Sequence, residues 1–184
     1  MLPQNFTSRA QEIIQEAYHK GMQTSTEMES LHLLDALLND EGGFITALLQ
    51  KLSIPRQSLK QDLTYTIETL PKVLPTQPLK GPFTQIYLTY EMAAILTMAQ
   101  KEASLLKDEY ISVEHLLLAI LQQQNNAQRL LQNHGITHII TLAAIKDLRG
   151  TDLVDTPEPE NKWHALERFT VNLTKLAQEK KLDP

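Results

Sequence analysis

Met28 to Leu38, MESLHLLDALL, and Ile111 to Leu121, ISVEHLLLAIL, share His, Leu, Leu, Ala and Leu in the same order at an offset of 83 residues. A second pair, LLQKLSI from Leu48 and LLQNHGI from Leu130, matches in Leu, Leu, Gln and Ile at an offset of 82. One amphipathic helix resembles another because both obey the 3.6-residue period, but two matches in one order at nearly one offset mark an internal duplication. The reading is an all-α protein made of two four-helix units, about 5–70 and 84–149, related by a pseudo-twofold.

Local signals outline the helices. Thr7 caps a first helix whose Ala10, Ile13, Ile14, Ala17 and Tyr18 recur by three and four on one face, and Gly21 ends it. A short helix from Leu31 to Asn39 stops at Gly42 and Gly43, a third spans 45–52, and Pro55 opens a fourth with Leu59, Leu63 and Ile67 aligned. The second unit predicts helices over 85–106, 113–123, 127–134 and 138–148, with Ser112 and Thr137 as caps and Gly150 as the stop.

Repeat equivalence gives the fifth helix a core face of Met92, Ile95, Leu96 and Ala99. Tyr87, Tyr90, Ala94 and Met98 then step along its other side, a stripe more apolar than a solvated face requires. Two readings stand: a binding surface, or a face packed under the proline-rich connector Leu70 to Pro82, LPKVLPTQPLKGP, whose prolines favour extended backbone.

Beyond Gly150 the composition changes. Residues 150–161, GTDLVDTPEPEN, carry four acidic residues and two prolines with almost nothing to bury, which reads as a flexible linker of about 20 Å mean span. A last segment, 162–184, places Ala165, Leu166, Phe169, Leu173, Leu176 and Ala177 at helical spacing and reads as the start of a following module.

A net charge of -5 and a pI of about 5.7 offer no basic footprint for nucleic acid. The absence of cysteine excludes disulfides, thiol nucleophiles and cysteine zinc sites. No stretch approaches the roughly 18 apolar residues of a membrane span, and Met1 to Thr7 do not begin a signal peptide, so the expectation is a cytoplasmic protein away from membranes.

Phosphate-cradling GxxxxGK[ST], the HExxH zinc pair and the GxSxG elbow are all missing, so no catalytic, cofactor-binding or metal site is expected. His32 and His115 hold the same place in the two units and read as packing or capping residues near a helix start. The acidic pairs Asp40/Glu41 and Asp108/Glu109 lie next to helix ends and read as solvated surface.

FTSRAQEIIQEA from Phe6, HLLDALLNDEGGFITALLQKL from His32, LPKV from Leu70 and KDEYISVEHLLLAIL from Lys107 together resemble the N-terminal, Clp repeat domain of ClpB-type AAA+ disaggregases. ALERFTVNLTKLAQEKKLDP from Ala165 resembles the entry to the first AAA+ module of that family, with Phe169 where tyrosine is more usual. The resemblance implies an eight-helix domain over 1–149 and a truncated ATPase start at 162–184. It also implies capture of unfolded or aggregated polypeptide for a homohexameric ATP-driven motor working with a DnaK-type chaperone. ATP and Mg would belong to the absent modules, and the isolated domain would be monomeric. The alternative is adaptor docking, as in ClpC and ClpA unfoldases that serve proteolysis. Carried over residue by residue, the polar capture positions fall on Thr7, Asp108 and Glu114, and the groove positions on Ala94, Met98 and His115. At Ala94 and His115 the family more often has larger aliphatics.

Overall fold

The computed structural model describes residues 5–23, 28–40, 43–71 and 89–159. They form eight helices: α1 (Ser8–Gln23), α2 (Ser30–Asn39), α3 (Phe44–Lys51), α4 (Arg56–Glu68), α5 (Tyr90–Leu106), α6 (Val113–Gln122), α7 (Asn126–Asn133) and α8 (His138–Arg149). Among the described residues there is no strand, only one isolated parallel bridge between Phe6 and Ile111.

The duplication is visible in the backbone. Ser53 N–H donates to the Gln50 carbonyl at 3.0 Å and Ile54 N–H to that of Leu49 at 2.9 Å; in the second unit Gly135 donates to Gln132 and Ile136 to Leu131, both at 2.9 Å. Each pair is a Schellman stop, and each places its turn residue in the left-handed region, Ser53 at φ 57° and Gly135 at φ 76°. The helix starts are repeated as well. Glu29 N–H donates to His32 Nδ1 at 3.1 Å, and Ser112 N–H donates to His115 Nδ1 at 3.0 Å. Each histidine closes a capping box from the third helical position, where glutamate usually does so.

α2 and α6 are apolar on every side because they are surrounded. All residues from Leu31 to Leu38 and from Val113 to Leu121 are buried. α2 packs on α1, α3 and α4 of its own unit and on α5, α6 and α7 of the other, while α6 packs on α5, α7 and α8 and reaches back to α1, α2 and α3. One continuous core results, with the other helices offering single apolar faces to it: Ala10, Ile13 and Ala17 from α1, Leu59, Leu63 and Ile67 from α4, and Met92, Ile95, Leu96 and Ala99 from α5. Polar bonds cross the same boundary. Ser30 N–H donates to Glu91 Oε1 at 2.8 Å, placing a carboxylate at the positive end of α2, and His134, the residue that caps the end of α7, meets Asp62 of α4 at 2.8 Å.

Two features differ from the sequence reading. Gly21 does not end the first helix: α1 continues to Gln23 with Gly21 buried inside it, tertiary packing overriding a cost of about 1 kcal/mol for a helical glycine. The stretch expected to be a free linker is, over residues 150–159, laid back on the body. Gly150, at φ 61° and ψ -119°, a backbone that only glycine takes readily, turns the chain after α8, and Val154 and Pro159 are buried. The composition pointed the other way because two buried residues and hydrogen bonds to the segment's backbone do the holding, and neither shows in an acidic, proline-rich count. The connector residues 72–88, the linker residues 160–161 and the segment 162–184 lie outside the described residues.

Candidate functional site

Two neighbouring places on α5 and its junction with α6 contain the residues singled out above. The first is the outward stripe of α5. Thr89 caps the helix by accepting from Met92 N–H at 3.2 Å, and its hydroxyl donates to the Met28 carbonyl at 3.2 Å, which fixes where the stripe begins. Tyr90 is 92% exposed, while Ala94 and Met98 are half-buried at the stripe's inner edge. Tyr87 lies outside the described residues. Leu105, 76% exposed, continues the same register through Lys101, a step of four after a step of three from Met98.

Other helices border this stripe. Gln123, after α6, points its amide at the Ala94 carbonyl at 3.5 Å, and His138, the first residue of α8, meets the buried Glu102 carboxylate of α5 at 3.0 Å. Ile139, next to His138, is 79% exposed. Large apolar side chains are therefore presented to water from both α5 and the start of α8. The sequence reading missed Leu105 and Ile139; Leu105 had a signal in its spacing, whereas Ile139 follows His138, which tertiary packing brings to α5.

The second place is a buried polar knot where α5 turns into α6. Lys107, at φ 63°, ends α5, and the next residue's side chain turns inward. Asp108 Oδ1 accepts from Arg149 Nη2 at 2.6 Å and from Val154 N–H at 2.7 Å, and its Oδ2 accepts from His115 Nε2 at 2.9 Å. Because His115 Nδ1 accepts from a backbone N–H, its ring proton is assigned to Nε2, the atom that donates to Asp108. Burial by itself would raise the Asp108 carboxyl, but hydrogen bonds from His115, Arg149 and Val154 outweigh it and hold the group at about 2. Arg149 shifts the opposite way and is raised: burial opposes its charge, and Asp108, Glu114 and Asp152 outweigh that. Glu114 is wholly buried, with neither carboxylate oxygen hydrogen-bonded, its charge answered by Arg149 Nη1 at 3.6 Å.

Thr7 joins the knot from the other side of the sequence. Its hydroxyl accepts from Ala10 N–H at 3.1 Å as the cap of α1, and its own N–H donates to the Ile111 carbonyl at 2.9 Å. The structure thus places Tyr90, Ala94 and Met98 along one side of α5, and gathers Thr7, Asp108, Glu114 and His115 around the α5–α6 junction, where their side chains are buried. For Asp108 this departs from the solvated surface expected beside a helix end. His32 and His115 are the capping residues that their repeat positions predict.

Ser112 Oγ, His115 and Asp108 also line up at 2.8 and 2.9 Å in the order of a serine-hydrolase triad. Ser112 and His115 are both fully buried, and the imidazole nitrogen facing the hydroxyl already takes the Ser112 N–H. The arrangement serves as a helix cap and offers a substrate no access to Oγ. No group of three or more potential metal ligands occurs among the described residues, and none of their helices is long and apolar enough to cross a membrane.

Comparison with known proteins agrees with this architecture. The chaperone protein ClpB of Rhodopirellula baltica is 35% identical over 179 residues, which cover 97% of this chain and 20% of that protein. ClpB of Clostridium perfringens is 30% identical over 181 residues, covering 97% and 21%. The chain therefore spans about a fifth of the length of the curated relatives it matches. The fold is similar to the crystal structure of the Hsp104 N-terminal domain from Candida albicans, with a TM-score of 0.71 at 22% identity over 85% of this chain and 99% of that one. Residues 5–134, well over half of the sequence, match the family described as the Clp repeat (R) N-terminal domain, and with two four-helix units folded on one core the chain belongs to that family.

Proposed function

We propose that this chain is the substrate-capture domain of a cytoplasmic ClpB-type chaperone, and that the α5 stripe with Ile139 holds apolar segments of unfolded or aggregated polypeptide. The observation that supports this most directly is the exposure of Tyr90 and Leu105 on the helix that carries half-buried Met98, with Ile139 exposed at the start of α8. Folded proteins hide such apolar segments, so a surface that accepts them without demanding one sequence distinguishes misfolded from native chains. Methionine suits this use, since its unbranched thioether adapts to different partners.

Single-site binding on a shallow strip is weak. In a homohexamer, several tethered copies would raise the effective concentration enough to retain an aggregate while each contact still releases a segment to the motor. In this reading the body covers residues 1–149, and 162–184 begin the ATPase module that would bind ATP and Mg and cooperate with a DnaK-type chaperone.

The test is an NMR titration of the 184-residue chain with a permanently unfolded, reduced and carboxymethylated protein. Shifts are expected at Tyr90, Met98, Leu105 and Ile139. Met98→Glu should weaken binding about five- to tenfold, the equivalent of losing one part-buried apolar contact. Shifts confined to other faces, or an unchanged affinity in Met98→Glu, would refute capture at this stripe. Binding only to a folded adaptor would favour the docking role of ClpC and ClpA domains.

A further inference from the structure

We propose that residues 150–159 are a latch that clamps the exit of the domain against α1 and the α5–α6 junction, with Asp108 as its positioning residue. The contacts are backbone-specific. Val154, with no exposed surface, donates its N–H to Asp108 Oδ1 at 2.7 Å, while its carbonyl accepts from Glu109 N–H at 3.0 Å and Tyr110 N–H at 3.1 Å. Further along, the Pro157 carbonyl accepts from Ser8 N–H at 2.8 Å, satisfying one of the amides that the first turn of α1 leaves without a helical partner. At the near end Arg149, held by Asp108, donates to the Asp152 carbonyl at 3.1 Å. Asp108 thus touches the segment directly through Val154 and indirectly through Arg149.

The same junction explains the placement of Thr7 and Glu114. Thr7 N–H donates to the Ile111 carbonyl and Ile111 N–H to that of Asn5 at 2.7 Å, so residues 5–7, 109–111 and 154–157 lie side by side, and Glu114 meets the far side of Arg149. The buried side chains of Thr7 and Glu114 hold the latch seat. Docked, the segment fixes the position and direction in which the chain leaves the body. Released, its ten residues would act as a coil of about 18 Å mean span. The latch therefore switches the following residues between a short, oriented tether and a long, loose one.

Amide hydrogen exchange on the 184-residue chain tests this without any reference to polypeptide capture. The Val154 and Ser8 amides should be protected, and Asp108→Asn should speed their exchange at least tenfold while amides inside α2 and α6 keep their rates. Val154→Asp, which leaves Asp108 in place, should produce the same pattern. Because the sequence has no cysteine, a Ser8→Cys, Pro157→Cys pair gives a clean second readout: it should close a disulfide readily in the otherwise unchanged chain. Exchange of Val154 and Ser8 at unstructured rates in the unmodified chain, failure of the cysteine pair to close, or protection undiminished in Val154→Asp would each overturn the proposal. If Asp108→Asn also deprotects α2 and α6, it has unfolded the domain, and the other two measurements decide. Loss of the latch with intact binding at Met98, or the reverse, separates this proposal from the capture reading.

Discussion

Asp108 shows how a single carboxylate becomes structural. Its folded value of about 2 against an ordinary 3.8 means that the native state favours its charged form, which contributes about 2 kcal/mol above pH 4 and loses it as pH falls toward 2. His32 adds to the acid side at a higher pH. Burial lowers it below the ordinary 6.5, partly countered by Asp35, and its Nδ1 is occupied by the Glu29 N–H, so protonation on acidification opposes the fold. Urea midpoints measured from pH 7 down to 2 should therefore fall in two stages. Asp108→Asn should remove most of the lower stage and leave the upper one. Little of this was legible in the sequence, because the partners of Asp108 lie 41 and 46 residues away and nothing local marks Arg149 or Val154. Thr7 was legible as a cap, since the amide it binds is three residues on.

Helix stops record the duplication more sharply than the apolar positions do. Ser53 and Gly135 occupy one backbone conformation in the two units, but only glycine adopts it without crowding Cβ. Ser53→Gly should therefore stabilise the protein by about 0.5 kcal/mol, the relieved strain exceeding the added unfolded-state entropy, and Gly135→Ala should destabilise it by about 1 kcal/mol. Denaturant midpoints at constant m-value check both, and stabilisation by neither or loss in both would contradict the shared geometry. At this scale the sequence was informative wherever a period and a stop coincided: α6, α7 and α8 begin or end within a residue of expectation. It was uninformative where tertiary contacts decide, as in the continuation of α1 through Gly21 and the docking of residues 150–159.

For the whole molecule, the sequence revealed two units but not their interdependence. α2 is buried mainly by α1 and α4 of its own unit, but its burial is completed by α5, α6 and α7 of the other, so the core of the first unit is closed only by the second. Residues 5–71 alone should show no cooperative transition, and the full chain should unfold in one step by circular dichroism, with α2 and α6 amides exchanging together. Two separable transitions would contradict a shared core. The placement of the α5 stripe was legible because repeat equivalence assigns the buried face and leaves the other; the exposed Ile139 was not, since it belongs to a different helix that meets α5 through the neighbouring His138. The alignment of residues 5–7, 109–111 and 154–157 has a mechanical consequence. Tension applied from residue 160 onward enters the body at Pro157 and Val154, loading a few backbone hydrogen bonds and the Asp108–Arg149 pair, at the ends of α1 and α8, before it reaches the central helices α2 and α6. The seam would yield first, letting out slack and sparing the helices, so that the domain bears a pull from its own exit as a fuse does, by giving way in one replaceable place.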